Sequence, residues 1–149
     1  MEPTLKLADQ ICFPLYAASR LITRKYTPYL DQLGLSYPQY LVMLVLWETD
    51  QVPVSFIVQQ LLLNTNTVTP LLQRLEAMGM LTRKKSREDE RKVIVSLTAK
   101  GRKLKEQAAT IPSEMAACLL SKDITAADLG ALVQTLNQLI ATLNEEEAG

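Results

Sequence analysis

The sequence has no histidine and only two cysteines. Without imidazole it cannot build a Ser-His-Asp triad, a histidine general base or a histidine-ligated metal site, and two thiols are too few for an all-thiolate zinc centre. No catalytic residue, metal or cofactor is therefore expected, and most enzyme classes are set aside. Aromatic residues are scarce at 5%, and the longest apolar run, residues 40–47, is far shorter than a bilayer span, which needs roughly 20 residues. The opening Met1-Glu2-Pro3-Thr4 does not read as a signal peptide, so a cytoplasmic protein with no membrane partner is expected. In that reducing compartment a pair of cysteines makes no structural framework, and each is either core filling or a redox element. What remains is an ordinary globular composition for 149 residues, with 48% hydrophobic and 21% charged.

The formal net charge of zero hides a division. Residues 74–105 hold eleven basic side chains against four acidic ones, a balance of +7 that the rest of the chain cancels. A basic block inside an otherwise acidic chain is the footprint of a nucleic-acid surface, although a sequence pI near 6.3 argues against indiscriminate polyanion binding.

Helical periodicity dominates the first half. Leu7, Ile11, Leu15, Ala18 and Ile22 share one face, which predicts a helix over about 5–32, interrupted or started at Pro14 and closed by Gly34. Ser36 is a plausible cap for the next helix, with Pro38 tolerated in its first turn, and residues 40–47 are apolar on nearly every side, as in a buried central helix. A short helix over 54–61 and another capped by Asn64 or Thr65, running to Met78 with Gly79 as its stop, form a helix, tight turn and helix. The period then changes from 3.6 to 2. Residues 80–84 and the alternating Val93, Val95 and Leu97 predict a β-hairpin with an all-polar tip at 85–91. Thr98 caps a basic helix that breaks at Ile111-Pro112, and 125–144 carries one more apolar stripe.

A hairpin behind a helix-turn-helix is a winged helix. The expected fold is mainly α (α+β), with a winged helix-turn-helix domain over 37–109. The N- and C-terminal helical regions, 1–36 and 110–149, carry apolar stripes beyond what a small core can cover. A two-fold partner chain is the simplest cover and would set two recognition helices about 34 Å apart, although a monomer whose terminal helices pack on each other also satisfies the pattern.

Several motifs are specific enough to carry a resemblance. Asp89-Glu90-Arg91 followed by Val93-Ile94-Val95-Ser96-Leu97-Thr98 and Gly101 resembles the wing of the MarR family of bacterial repressors. The block Gln10-Ile11-Cys12-Phe13 with Leu15-Tyr16-Ala17 resembles that family's organic hydroperoxide resistance branch. So do Tyr37-Pro38-Gln39-Tyr40-Leu41, Leu46-Trp47-Glu48, and Thr67-Val68-Thr69-Pro70 with Arg74-Leu75-Glu76. The likeness covers about residues 7–112 and continues weakly beyond.

The resemblance implies a dimeric repressor of double-stranded operator DNA whose Cys12 is the peroxidatic thiol, oxidised by organic hydroperoxides. Read from the residues, Cys12 is either a small buried hydrophobe or a thiolate favoured by a helix starting near Pro14, and a Pro14 kink in a continuous helix would offer less of that dipole. The relatives hold the thiolate with tyrosine hydroxyls from the partner chain, and the matching positions are Tyr26 and Tyr37; Tyr29 and Tyr40 read equally as packing. The relatives that carry a second cysteine after the wing use it to resolve the sulfenic acid across the dimer, which makes Cys118 the resolving candidate, with plain helix packing as the other reading. A disulfide needs Cα atoms roughly 4.4–6.8 Å apart, so closing one from farther away would move the helices that space the DNA-reading lobes.

DNA contacts are expected from Thr65, Asn66, Thr67, Thr69, Gln73 and Arg74 on the recognition helix, and from Lys84, Lys85, Arg87 and Arg91 on the wing, with Asp89 orienting Arg91. Asn66 and Gln73 stand where the branch usually has Gly and Lys, and Pro14 is unusual so near the thiol. A second reading stays open: a redox-inert repressor released by a small aromatic or acidic ligand. A thiol peroxidase is disfavoured, because no βαβ pattern or CxxC motif surrounds Cys12.

Overall fold

The computed structural model describes residues 4–148, so the Met1-Glu2-Pro3 start and Gly149 lie outside the described residues. The chain forms two compact units, residues 1–109 and 110–149.

In the first unit a 3-10 turn, Leu7–Asp9, precedes helix α1, Cys12–Asp31. The helix expected from about residue 5 therefore begins only at Cys12. Pro14 occupies its third position, where a missing N–H leaves no helical bond unmade, so Pro14 marks a start and not a kink. Helix α2, Tyr37–Glu48, opens on a full capping box: the Ser36 hydroxyl accepts from the Gln39 amide, and the Gln39 side chain accepts from the Ser36 amide. It packs against α1, α3, α4 and α5 and buries Tyr40, Val42, Met43 and Leu46. Leu44 remains 38% exposed, so the burial of 40–47 is less complete than its composition predicts.

Helix α3, Val54–Leu61, and helix α4, Thr65–Ala77, form the helix-turn-helix. Asn64 is the cap of α4, its side chain accepting from the Thr67 amide at 2.9 Å. Gly79 closes α4 at φ +78, a left-handed conformation that side chains resist, and the Met80 amide then reaches back to the Leu75 carbonyl at 2.9 Å.

The wing is built from β2, Leu81–Lys85, and β3, Val93–Leu97, paired antiparallel with Leu81 opposite Leu97 and Lys85 opposite Val93. The expected hairpin is present, with its loop at 86–92. A third strand escapes sequence reading: β1, Val52–Pro53, adds to the other edge of β3 in the order β1-β3-β2. Two residues have no periodicity, and a proline is tolerated there because the strand is at an edge. Asp50 ties this root together, its carboxylate accepting from the Leu97 amide at 2.8 Å and meeting Arg102 at 3.4 Å.

Thr98 caps helix α5, Ala99–Ala108, and its hydroxyl also donates to the Gly79 carbonyl at 2.6 Å. The second unit comprises α6, Ile111–Leu119, which begins with Pro112 in its first turn, and α7, Ala126–Ala148. The Asp128 carboxylate accepts from the Thr125 amide and hydroxyl at the start of α7, and these bonds hold that carboxyl below the usual range. Helix α7 runs beyond the expected end near Asn144, since Glu145, Glu146 and Glu147 are good helix formers with no breaker among them.

Candidate nucleic-acid interface and redox cysteine

The basic block runs from the end of helix α4 through the wing, where six of its cations lie, to Lys100, Arg102, Lys103 and Lys105 on α5. On α4, Thr65, Asn66, Thr67, Gln73 and Arg74 are exposed, while Thr69 is half-buried. The Thr67 hydroxyl donates to the Asn64 side chain at 3.0 Å, so only its lone pairs remain for an outside donor. Pro70 lies inside α4 and cannot donate to the Asn66 carbonyl, which bares one more acceptor on the same turn.

Lys84 and Lys85 end β2 with exposed side chains, and Arg87 is exposed on the loop. That loop is ordered from within: the Ser86 amide donates to the Lys92 carbonyl at 2.8 Å, and the Lys92 amide to the Asp89 carbonyl at 3.0 Å. The Asp89 carboxylate accepts from the Arg91 amide at 3.0 Å and stands 3.5 Å from the guanidinium Nε, whose side chain is 94% exposed. Asp89 and Arg91 are thus paired, and the cation still faces solvent.

Between α4 and the wing lies a groove of about 410 Å³, whose walls include Thr65, Thr69, Leu72, Arg83 and Arg91. Arg83, in its wall, is paired with Glu76. Glu76, near the end of α4, accepts from the Arg83 amide at 2.9 Å and from the Arg83 guanidinium at 3.0 and 3.3 Å. The side-chain bond first, and then the backbone bond, hold the Glu76 carboxyl below the usual carboxylate range. Sequence reading saw Glu76 only as part of a motif and left Arg83 out. A carboxylate seven residues before a basic strand was the available signal, but it does not predict a pair.

Cys12 is the first residue of α1 and is exposed, which disfavours the buried-hydrophobe reading in the single chain. The first amides of a helix have no intrahelical acceptor and carry positive partial charge. Phe13, Leu15 and Tyr16 beside it are also exposed. Cys118 lies on α6 and is exposed too. Trp47 is half-buried and donates its indole N–H to the Gly101 carbonyl at 2.9 Å.

Tyr26 on α1 and Tyr37 on α2 come together, ring centroids 4.8 Å apart, with Tyr40 at 5.8 Å from Tyr26. Burial pushes the pKa of the Tyr26 and Tyr37 phenols up, and for Tyr37 the neighbouring Tyr26 adds to it. Both phenols therefore stay protonated and able to donate. Cys12 and Tyr26 are fourteen residues apart on one helix, on the order of 21 Å at 1.5 Å per residue. Within a single chain these hydroxyls cannot meet that sulfur.

Among the described residues no three His, Cys, Asp or Glu side chains group to hold a metal, and no helix is long and apolar enough to cross a membrane.

Comparison with known proteins places this geometry. The transcriptional regulator SarA/Rot family model matches residues 24–108. The organic hydroperoxide resistance transcriptional regulator of Bacillus subtilis (strain 168) is 46% identical over 142 residues, 95% of each chain. A structure of reduced AbfR bound to DNA matches with 36% identity over 92% of this chain and 94% of that one, at a TM-score of 0.76. AbfR, from Staphylococcus epidermidis, is also known in a disulfide-formed structure, 37% identical over 90% and 92% of the two chains, at a TM-score of 0.63.

Proposed function

We propose, because this chain belongs to the MarR family of winged-helix transcriptional regulators and to its organic hydroperoxide resistance branch, that it represses as a reduced homodimer on operator DNA and leaves it when Cys12 is oxidised. The carrying observation is Cys12 itself, exposed at the first position of α1 among apolar neighbours.

The chemistry balances without a cofactor. The Cys12 thiolate attacks one peroxide oxygen of an organic hydroperoxide, the O–O bond breaks, and the alkoxide takes a proton and departs as an alcohol. The sulfur, oxidised by two electrons, becomes a sulfenic acid. Cys118 of the partner subunit then attacks that sulfur, the S–O bond breaks, and hydroxide leaves with the thiol proton as water, forming an intersubunit disulfide. The reaction is stoichiometric sensing, not turnover.

Tyr26 and Tyr37 donate hydroxyls to the thiolate of the other subunit, since their own Cys12 is out of reach along α1. Thr65, Asn66, Thr67, Thr69, Gln73 and Arg74 enter the major groove with α4. Lys84, Lys85 and Arg87 follow the backbone, and Arg91, held by Asp89, reaches the minor groove. AbfR supports this reading, having been solved with DNA when reduced and separately in a disulfide form.

The test uses duplexes selected by the reduced protein from a random-sequence pool, titrated before and after cumene hydroperoxide. Wild type is expected to release them on oxidation and Cys12→Ser to hold on. A Cys12→Ser protein that still lets go on oxidation overturns the sensing role. Oxidised wild type should run as a covalent dimer on a non-reducing gel, and Cys118→Ser should not; a monomer band from wild type rejects the intersubunit disulfide.

A further inference from the structure

We infer that Glu76 and Arg83 form a clamp that sets the position of the wing against helix α4, and that Arg83, although a cation in the groove wall, is a positioning residue for DNA recognition and not a contact to DNA. The inference rests on reading α4 and the wing as a DNA interface and deepens it.

Three hydrogen bonds converge on one carboxylate. Oε2 of Glu76 accepts the Arg83 main-chain amide at 2.9 Å, and Oε1 accepts Nη2 at 3.0 Å and Nε at 3.3 Å. A side chain held only by its tip leaves the strand behind it free, but a bond to the strand's own amide fixes the backbone. Arg83 sits opposite Val95, so anchoring it anchors β3 through the ladder, and with β3 the loop that carries Arg91. The anchor on α4 lies one residue before its end, so a single carboxylate joins the recognition helix to the hairpin across the turn at Gly79.

Charge placement separates Arg83 from the other wing cations. Lys84, Lys85, Arg87 and Arg91 are exposed, whereas the Arg83 side chain is 25% exposed and its guanidinium is already bound to an anion. Bringing Arg83 to a phosphate would break charge-assisted bonds, which are among the stronger hydrogen bonds in proteins. Arg83 also lies in the wall of the groove between α4 and the wing, so the bond to Glu76 ties that wall to the helix.

The experiment compares full-length wild type, Glu76→Gln, Arg83→Met, Arg83→Lys and the Glu76→Gln/Arg83→Met double variant. Each is titrated across salt with a duplex selected by wild type from a random pool and with an unrelated duplex. Each single variant should bind the selected duplex about tenfold more weakly. Affinity for the unrelated duplex and the slope of log K against log salt should stay as in wild type. The double variant should be no worse than the weaker single, because the pair acts as one unit, and Arg83→Lys should not rescue, because it keeps the charge but loses the fork. A phosphate contact would show otherwise: both duplexes weakened, the salt slope reduced by about one, and function restored by lysine. Either that pattern or unchanged affinities overturns the proposal. Amide hydrogen exchange at Arg83 in the DNA-free protein decides the clamp independently, and faster exchange is expected in Glu76→Gln, with an unchanged rate rejecting it. If wild type selects no duplex at all, the interface reading has failed, and the exchange measurement still judges the clamp.

Discussion

Gly101 leaves space for no side chain. A Cβ there would sit 2.1 Å from the Met80 carbonyl oxygen and 3.2 Å from Leu97, where the first turn of α5 closes on the root of the wing. Its carbonyl also receives the Trp47 indole proton. Gly101→Ala should therefore lower stability by on the order of 2–3 kcal/mol, since backbone and not a flexible side chain must yield. Urea unfolding measures this, and a loss within error would contradict the close approach. At the same scale, the tyrosine cluster has a pH signature. Burial pushes the pKa of Tyr26, Tyr37 and Tyr40 up, so folding favours the neutral phenols. Their contribution is complete below the unfolded value of about 10 and is lost as pH rises through the folded values. Tyrosinate absorbance should lag that of free tyrosine, and thermal stability should fall over the same alkaline range; three tyrosines titrating normally would rule out the cluster.

For the elements, the decisive features are ends and junctions. Helix α4 starts because Asn64 satisfies the Thr67 amide and hydroxyl together. Asn64→Ala should remove about 1 kcal/mol of stability and also free the Thr67 hydroxyl, so DNA affinity reports a rearranged helix start in addition to thermal unfolding. The predicted helix-turn-helix and hairpin were legible because periodicity, caps and Gly79 agree. Strand β1 was not, being two residues long and defined only by pairing with β3. Neither was the start of α1, since Leu7 and Ile11 continue the helical spacing although the chain turns at Leu7–Asp9 and enters the helix at Cys12. Proline in a first turn and proline in a kink have the same sequence signature.

Across the whole molecule, the apolar stripes remain open in the single chain. On α7, Leu132, Val133, Leu139, Ile140 and Leu143 are each more than two-fifths exposed, as are Ile11, Tyr16 and Leu21 on the N-terminal side. Exposed apolar stripes of this size mark contact surfaces, and in the proposed dimer a second copy would bring Tyr26 and Tyr37 to a Cys12 that their own chain cannot reach. Ile140→Glu should therefore shift the protein from dimer to monomer in sedimentation equilibrium and weaken DNA binding in parallel. A dimer that persists unchanged removes α7 from the interface.

Composition and period determined the kind of fold this chain had to make. The absence of histidine, the basic stretch over 74–105, and the change of period after Gly79 are local properties, and local properties survive in one dimension. Tertiary structure alone decided that Glu76 meets Arg83, that Asp50 holds the amide of Leu97, that the Tyr26 ring packs tilted against Tyr37, and that a fragment as short as Val52–Pro53 completes a sheet. Each depends on the distance between residues far apart or differently oriented along the chain, which propensity and spacing do not encode and which packing around α2 fixes.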